Sequence, residues 1–416
     1  MTLPAQQSEA LLAGVKTTGM AATSVSYPVD AFAGAYNPAA INLLPDRLDL
    51  GISWVQFYQR TNVHDNASVL NILYPDNPLN GSRNAAKTPN VYVPEFGINK
   101  HFCFDWCGKP IHLTTGLVSY NRNYLKTTYG KTITLFGTSK PGLEYIHQTV
   151  APMLAVNFCE QHNIGVSLNI NVQRIKLNGL QNFDNANSSS SPGNVTNRGY
   201  NWSTGVGVTL GYLWQPTDCF RVGASWTPKT SNPRFKKYKG FLADKGNFPT
   251  PMRFQAGLSY NIWSCLAVAF DYEYVKWQDV QHLKNHFLPN LFEAHLGDKG
   301  GAGLGFKNQH FYRFGVDYTL NECWDFRAGF RHANCVIPSS DTGPNLLTCD
   351  LVQNVLTLGT TYHINACNEI SVLYAHGFEK KVKGKDSIPE NQPFGGGEVD
   401  LKQSLNVWGV SWGMKF

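Results

Sequence analysis

The chain has 416 residues, of which 42% are hydrophobic, 13% aromatic and only 15% charged. This composition is not that of a disordered chain, and no run of 18 or more apolar residues could form a transmembrane helix. The net charge of +6 is spread along the sequence, whereas a nucleic-acid-binding protein would concentrate it on one face.

Residues 1–46 form the first distinct region. They show no regular alternation of apolar and polar residues and are rich in Ala, Gly, Ser and Thr. Within them, Asn37-Pro38-Ala39 places a turn among small residues, which suits tight packing in a confined space. A flexible tail is the alternative interpretation of this region.

From Arg47 onwards the sequence predicts strands, because apolar residues alternate with small or polar ones. In residues 163–173, Ile164, Val166 and Leu168 alternate with Ser167 and its polar neighbours. Successive side chains of a strand point to opposite faces, so the even-numbered residues form one wholly apolar face. The same pattern recurs at 205–212, 220–226, 253–260, 266–272, 312–318 and 324–331.

The connections between these strands alternate between short and long. Short turns are predicted near 105–109, 159–163, 215–219, 262–265, 320–323 and 365–368, and long loops at about 61–90, 125–142, 177–199, 228–250, 277–309, 335–351 and 379–402. Short turns at one end and long loops at the other are typical of outer-membrane barrels. The sequence therefore predicts an all-β fold, a 14-stranded antiparallel transmembrane β-barrel over residues 47–416, with even-numbered residues of strands five to eleven facing lipid. A soluble sandwich is the alternative.

No signal peptide is visible at the start, and we expect it to have been removed.

The run 30–41, followed by Pro45, Asp46 and Arg47, resembles the start of the FadL family of outer-membrane transporters for long-chain fatty acids and hydrophobic compounds. Members carry a stretch rich in Gly and Ala, then an Asn-Pro-Ala motif, then the first strand. The resemblance implies that residues 1–46 fold as a hatch inside the lumen, with Asn37, Pro38 and Ala39 buried. It also implies passive transport with no cofactor, and exit of the cargo sideways through the barrel wall.

The resemblance places this exit at a kinked third strand. Here Gly116 lies in the middle of that strand, Pro94 lies in strand two, and Pro152 lies in strand four. Proline cannot donate to a strand ladder and favours edges and bulges. These residues are the candidate lateral opening, with ordinary bulges as the alternative.

Arginines are the candidate partners of a ligand carboxylate, because a guanidinium can bind a carboxylate through two hydrogen bonds. Arg174 lies where the resemblance implies a basic ligand contact, and Arg253 and Arg313 are predicted to face the lumen. Internal ion pairs are the alternative role for the lumenal arginines.

Two long loops stand out. Loop 277–309 includes Phe287 and Leu291 among apolar residues at near-helical spacing, and an apolar outer loop must bury itself or bind something. His282 and His286 are four residues apart, but no third ligand is placed convincingly, so we predict no metal site. Loop 228–250 is basic and is a candidate contact for outer-membrane lipid and lipopolysaccharide, or a solvated loop.

The nine cysteines follow the predicted topology. Each short turn carries at least one, with Cys103 and Cys107 at the first turn, whereas Cys335 and Cys349 share a long loop. In an oxidising envelope we expect Cys335–Cys349 to form a disulfide and Cys103–Cys107 to be a second candidate. The remaining turn cysteines suggest disulfide-linked periplasmic partners, as in chlamydia-like bacteria, or are free small residues.

No catalytic motif is present, and an enzyme is not expected. The function that the sequence favours is passive outer-membrane transport of hydrophobic molecules, most simply long-chain fatty acids, captured at the outer loops and released through the wall. The alternative is a structural porin or adhesin of a disulfide-cross-linked envelope.

Overall fold

The computed structural model describes residues 13–106, 109–158 and 161–416. Fourteen long antiparallel strands form one sheet that closes, because the last strand pairs with the first. They are β1 (Arg47–His64), β2 (Asn90–Trp106), β3 (Lys109–Thr128), β4 (Gly142–Phe158), β5 (His162–Asn178), β6 (Asn201–Trp214), β7 (Phe220–Thr227), β8 (Arg253–Trp263), β9 (Leu266–Val275), β10 (Gln309–Asn321), β11 (Trp324–Ala333), β12 (Asn354–His363), β13 (Asn368–Val382) and β14 (Glu398–Lys415). The predicted 14-stranded barrel, starting at Arg47, is confirmed.

Helices are brief and lie outside the strands. The α-helices are α1 (Val15–Gly19), α2 (Ala33–Tyr36), α3 (Leu70–Leu73), α4 (Ala243–Gly246), α5 (Gln281–Lys284) and α6 (Asn290–Glu293). Short 3-10 segments span Pro38–Leu43, Gln181–Phe183, Lys236–Tyr238, Trp277–Asp279, Ser339–Asp341 and Pro344–Leu347, and a short strand, Gly81–Asn84, extends the sheet beside the end of β1. No helix in the described part of the chain is long and apolar enough to cross a membrane.

The two ends of the barrel differ as predicted. Among the described residues, the connections at one end include 215–219, 264–265, 322–323 and 364–367, whereas those at the other lie at 65–89, 129–141, 179–200, 228–252, 276–308, 334–353 and 383–397. Since outer-membrane barrels have short periplasmic turns and long external loops, we call the end with the long loops the outer end.

The alternation of side chains across the wall also follows the sequence. In β5, Ile164, Val166 and Leu168 are exposed on the outside, whereas Ser167 and Asn169 are buried inside. The even-numbered apolar residues of β6 to β11 include many of the large exposed hydrophobic side chains, such as Leu210, Leu258, Phe314 and Phe330. The even-numbered face is therefore the lipid-facing surface, and the odd-numbered face lines the lumen.

Residues 13–46, here called the lumenal segment, lie inside the barrel and are largely buried. Inward-facing carboxylates of the wall receive its backbone N–H groups. Asp271 Oδ2 accepts from Ser24 at 2.7 Å and from Val25 at 3.0 Å, and Asp49 Oδ2 accepts from Ala31 at 2.9 Å. The segment therefore has directional contacts with several strands rather than hanging free.

The Asn37-Pro38-Ala39 motif fits against glycines of the wall. Asn37 Nδ2 donates to the carbonyl of Val25 at 2.8 Å and to that of Tyr212 at 2.9 Å, which ties the segment to β6. A Cβ atom at Gly165 would collide with the backbone of Pro38 and Ala39. Glycine at this position thus allows a close approach that any larger residue would prevent.

Candidate functional site

An apolar cavity lies at the outer end, between the long loops. Its empty space, including the part open to solvent, is about 990 Å³. Aliphatic and aromatic side chains from several loops make up most of the lining: Leu79, Ile133, Leu135, Phe136, Leu180, Phe183, Phe241, Phe287, Leu291, Leu296, Leu304, Leu346, Leu347, Ile388 and Phe394. We call this space the outer cavity.

Both residues singled out in loop 277–309 line this space. Phe287 lies before α6 and Leu291 lies within it, and both side chains face the outer cavity. Their neighbour Phe292 is exposed and is not part of the lining. The apolar character of this outer loop is thus explained, because several of its apolar side chains line a cavity.

Most polar groups of the outer cavity are used within the loops. Asn66 Nδ2 donates to the carbonyl of Phe394 at 2.7 Å, and Arg83 Nη1 donates to the carbonyl of Leu79 at 2.7 Å. Ser387 Oγ accepts the N–H of Val399 at 2.9 Å. These groups hold the loops in place and leave the cavity surface apolar.

His282, in α5, is different. Its Nδ1 accepts the N–H of Ala243 at 3.4 Å, whereas its buried Nε2 has no hydrogen-bond partner among the described residues. Burial lowers the pKa of His282 to about 4, so the ring is neutral at pH 7. Because Nδ1 is the acceptor, Nε2 carries the proton and is a donor in an apolar surrounding.

A second cavity continues from the outer one towards the barrel. Its empty space is about 410 Å³, and it shares Phe241, His282, Leu304 and Leu347 with the outer cavity. Its remaining lining includes inward-facing residues of the wall, Leu125, Leu143, Tyr145 and Ile175. The two cavities are therefore adjacent and both apolar, and His282 lines both of them.

Arg174 is not in the lumen, and its role as a basic ligand contact stays a prediction. It has an even number on β5, so its side chain continues the lipid-facing row of Ile164 to Val172. Its Nη2 lies 2.6 Å from Glu144 Oε1, and its guanidinium stacks on the rings of Tyr200 and Trp202. The same alternation that predicted the lipid face therefore excludes Arg174 from the interior.

Arg253 and Arg313 do face the lumen, and both bind one carboxylate. Arg253 Nε lies 2.8 Å from Glu273 Oε1, and Arg313 donates to Glu273 Oε2. Arg331 lies opposite Arg313 in the neighbouring strand and is fully buried. None of its three guanidinium nitrogens has a hydrogen-bond partner within the described part of the chain. Asp271 lies opposite Arg313 in β9, so these three arginines and two carboxylates form a charge cluster deep in the barrel.

The wall is interrupted between β2 and β3. Their ladder runs from Trp106–Lys109 to Phe96–Ser119 and, among the described residues, goes no further towards the outer end. Pro94 lies just beyond the break and cannot donate a hydrogen bond, whereas Gly116 lies within the paired region on both sides. Beyond the break, the register of β3 against β4 shifts around Arg122, which marks a bulge.

The cysteine pairing predicted in the long loop does not form. Cys335 and Cys349 are free thiols. Cys335 Sγ donates to the carbonyl of Ile337, whereas Cys349 is buried with its Sγ towards the carbonyl of Lys402, so the two side chains have separate partners. Burial raises the pKa of the Cys349 thiol to about 12. Cys103 is a free, exposed thiol, and its predicted partner Cys107 lies outside the described residues.

Sequence reasoning did not assign three residues to the site, although it considered His282 as a metal ligand. Phe241, His282 and Arg331 carry no motif, and only the three-dimensional arrangement of loops shows that the first two share a cavity. Arg331 had a usable signal, because Arg313 and Arg331 are both on the inward face of adjacent strands and lie opposite each other.

A family model described as outer membrane protein transport protein (OMPP1/FadL/TodX) matches residues 6–416. The chain belongs to this family. It is therefore a bacterial outer-membrane transport protein, and the predicted membership and location are confirmed. The match favours the transport interpretation over a structural porin or adhesin.

Solved structures agree on the fold. A Pseudomonas aeruginosa FadL homologue is 14% identical with a TM-score of 0.68, covering 100% of this chain and 99% of that one. The P. putida toluene transporter TodX is 16% identical, with a TM-score of 0.63 and coverage of 96% and 97%. The Ralstonia pickettii toluene transporter TbuX is 16% identical, with a TM-score of 0.63 and coverage of 97% and 98%. A search among proteins with curated descriptions finds no significant match.

Proposed function

We propose that this FadL-family protein takes up hydrophobic molecules with a single acidic head, of which long-chain fatty acids are the simplest class. The observation that carries the proposal is the outer cavity, whose lining is almost wholly apolar and continues into the second cavity. Each CH₂ group transferred from water to such a lining contributes about 0.8 kcal/mol. A long acyl tail would thus be captured without any specific hydrogen bond.

The head group needs a polar partner, because a buried carboxylate without one is costly. His282 Nε2–H lies between the two cavities and has no other partner among the described residues. Deeper in the lumen, Arg331 is a buried cation that likewise has no hydrogen-bond partner among the described residues. We infer that the carboxylate passes from His282 towards Arg331, which receives it with two hydrogen bonds.

In our proposal, the cargo leaves the barrel through the interruption between β2 and β3. Above Phe96 and Ser119 the two strands share no ladder hydrogen bonds among the described residues. A molecule with a hydrocarbon tail can pass from there directly into the membrane, whereas a polar solute cannot. In this scheme the lateral opening lies beside Pro94 and above Gly116, and the lumenal segment acts as the hatch that closes the straight route to the periplasm.

Uptake in a strain that lacks its own fatty-acid transporter tests this proposal. Radiolabelled oleate and toluene would be supplied to cells making the wild type, Leu291→Asp or Phe292→Asp. Leu291 lines the outer cavity and Phe292 does not, so the two substitutions in α6 are a matched pair. We expect Leu291→Asp to abolish oleate uptake, because it places a charge in the cavity, and Phe292→Asp to retain it.

Arg331→Leu then separates the cargo classes. Two of the similar structures are described as toluene transporters, and an uncharged hydrocarbon needs no cation. Loss of oleate uptake with toluene uptake preserved supports carboxylate capture, whereas equal retention of both cargoes contradicts it. Unchanged oleate uptake in Leu291→Asp would overturn the outer cavity as the entry site.

A further inference from the structure

A separate groove lies on the outside of the barrel, at the outer ends of β3, β4 and β5. Its empty space is about 730 Å³. Three lysines line it, together with hydroxyl, amide and aromatic groups and one carboxylate: Lys126, Lys140, Lys176, Thr88, Thr128, Asn178, Tyr129, Tyr200 and Glu144. We call it the rim groove, and the transport path described above does not use it.

The position of the rim groove follows from the alternation of β5. Lys176 is on the same face as Ile164, Leu168 and Val172, which contact lipid. The eight steps from Ile164 to Val172 extend roughly 27 Å along the strand, or about 20 Å across the membrane at the usual tilt, close to the ~25 Å height of an apolar band. Arg174 and Lys176 therefore lie just beyond the hydrocarbon, at the level of the lipid headgroups.

The charge of the groove is strongly unbalanced. Arg174 lies beside the groove and occupies Glu144, with its Nη2 2.6 Å from Oε1, and Lys126 lies 4.0 Å from Oε2. Lys140 and Lys176 have no carboxylate within ion-pair distance in the described part of the chain. One acid thus faces four cations, and the Nε of Arg174 is buried without a hydrogen-bond partner among the described residues.

Two of these cations lie against the aromatic ring of Tyr200. Lys176 Nζ lies 5.2 Å from the centre of the Tyr200 ring, and Arg174 Cζ lies 4.2 Å from it. Trp202 is 57% exposed beside them, on the lipid-facing side. Tyr and Trp at this depth mark the interface between hydrocarbon and headgroups. The ligand that fits such a site has phosphate groups attached to apolar chains.

We propose that the rim groove binds the phosphorylated headgroup of an outer-leaflet glycolipid of the lipopolysaccharide class. The phosphates lie among Lys126, Lys140 and Lys176, the sugar hydroxyls face Thr88, Thr128 and Asn178, and the acyl chains run down the apolar face of β5. Free phosphate lacks these chains and binds weakly. The groove shares Thr128 with the outer edge of the interruption between β2 and β3, so bound lipid lies next to the proposed exit.

Native mass spectrometry of the purified barrel in detergent tests the proposal, with diphosphorylated lipid A, dephosphorylated lipid A and inorganic phosphate as probes. The test variant is Lys140→Gln/Lys176→Gln. The matched control is Lys383→Gln/Lys385→Gln, which removes two exposed lysines from the loop between β13 and β14. We expect the test variant to bind lipid A roughly 30-fold more weakly, and the control to bind as the wild type does.

Glu144→Gln supplies a result of opposite sign, because removing the carboxylate should strengthen lipid A binding. Folding of each variant is checked by its shift on unheated gels. Equal losses in the test and control pairs would overturn the proposal, as would equal binding of dephosphorylated lipid A. Displacement of lipid A by inorganic phosphate at similar concentration would show a simple anion site, which also contradicts it.

Discussion

In the lower half of the barrel, residues 13–46 are held by carboxylates, backbone N–H groups and ion pairs, whereas the upper half is lined by aliphatic and aromatic side chains. Lys16 Nζ, for example, lies 2.6 Å from Glu369 Oε1. Directional contacts of this kind fix one arrangement and leave little free space. Apolar contacts are not directional, so the upper half can accept molecules of different shapes. Under the proposed function, the lower half seals the barrel and the upper half captures cargo.

The two halves also differ in which parts of the sequence form them. The lower half uses inward-facing residues of regular strands, whose spacing is fixed by the barrel. The upper half uses seven loops whose apolar residues meet only after folding. A change that breaks the seal should therefore act on permeability, whereas a change in the loops should act on cargo binding.

Removing residues 1–40 should have the largest effect, because it empties the lower half. We expect conductance for small ions in planar bilayers to rise from a closed to a clearly open level. Asn37→Ala, which removes hydrogen bonds to Val25 and Tyr212 but keeps the chain in place, should raise conductance much less. Unchanged conductance in the deletion would show that the segment is not a plug.

Glu273→Gln should destabilise the barrel by about 3 kcal/mol or more, because breaking a buried pair leaves its partner charge uncompensated. Glu273 is the carboxylate that contacts both Arg253 and Arg313. Ser259→Ala is the control, since it removes one neutral hydrogen bond, from Oγ to the carbonyl of Ser26, worth about 1 kcal/mol. Urea unfolding of the barrel in liposomes measures both, and equal costs would contradict the role of the charge cluster.

Leu168→Arg should cost roughly 2–4 kcal/mol, because it places a charge in the lipid midplane. Asn169→Arg, one residue away on the lumenal face, should be milder on charge grounds. The same unfolding measurement compares them. A larger penalty at Asn169 than at Leu168 would reverse the assignment of the two faces.

Much of the wall could be predicted from sequence, because strand alternation has a period of two and outer-membrane barrels alternate short and long connections. That pattern located β1 at Arg47 and the lipid face at Leu168. It also contained the information that Arg174 faces outwards, because Arg174 continues the even-numbered row of β5. Whether a residue number is odd or even therefore predicts which face its side chain is on, since a strand cannot turn one side chain inwards without a bulge.

The outer cavity could not be assembled from sequence in the same way. Phe287 and Leu291 stood out because a helical spacing of apolar residues is visible locally. Phe241 and His282 meet across two loops, and no local pattern fixes the conformation of loops 25 and 33 residues long joining β7 to β8 and β9 to β10. The cysteine pairing failed for a related reason, since sharing a loop says nothing about the direction of either Sγ.

The smallest expected effect is that the outer loops around His282 open more often at low pH, while the lumenal segment stays closed. The pKa of His282 is lowered from 6.5 to about 4 by burial, so the closed loops favour the neutral ring. Above pH 6.5 His282 is neutral in both closed and opened loops, so it does not affect their equilibrium. As pH falls towards 4, His282 in an opened loop can take up a proton, whereas His282 in the closed loops cannot. The population of opened loops should therefore rise by up to about tenfold per pH unit.

Hydrogen exchange of amides 281–284, corrected for intrinsic rates, would be compared at pH 7.5, 6.0 and 5.0. His282→Phe keeps a ring in the cavity but cannot titrate, so its exchange should be flat over this range. Amides of the lumenal segment, such as that of Val25, report the lower half and should stay protected throughout. If His282→Phe loosens with pH as the wild type does, another group controls the loops. If the lumenal segment opens together with α5, the two halves of the interior are not independent, and the separation of seal from capture fails.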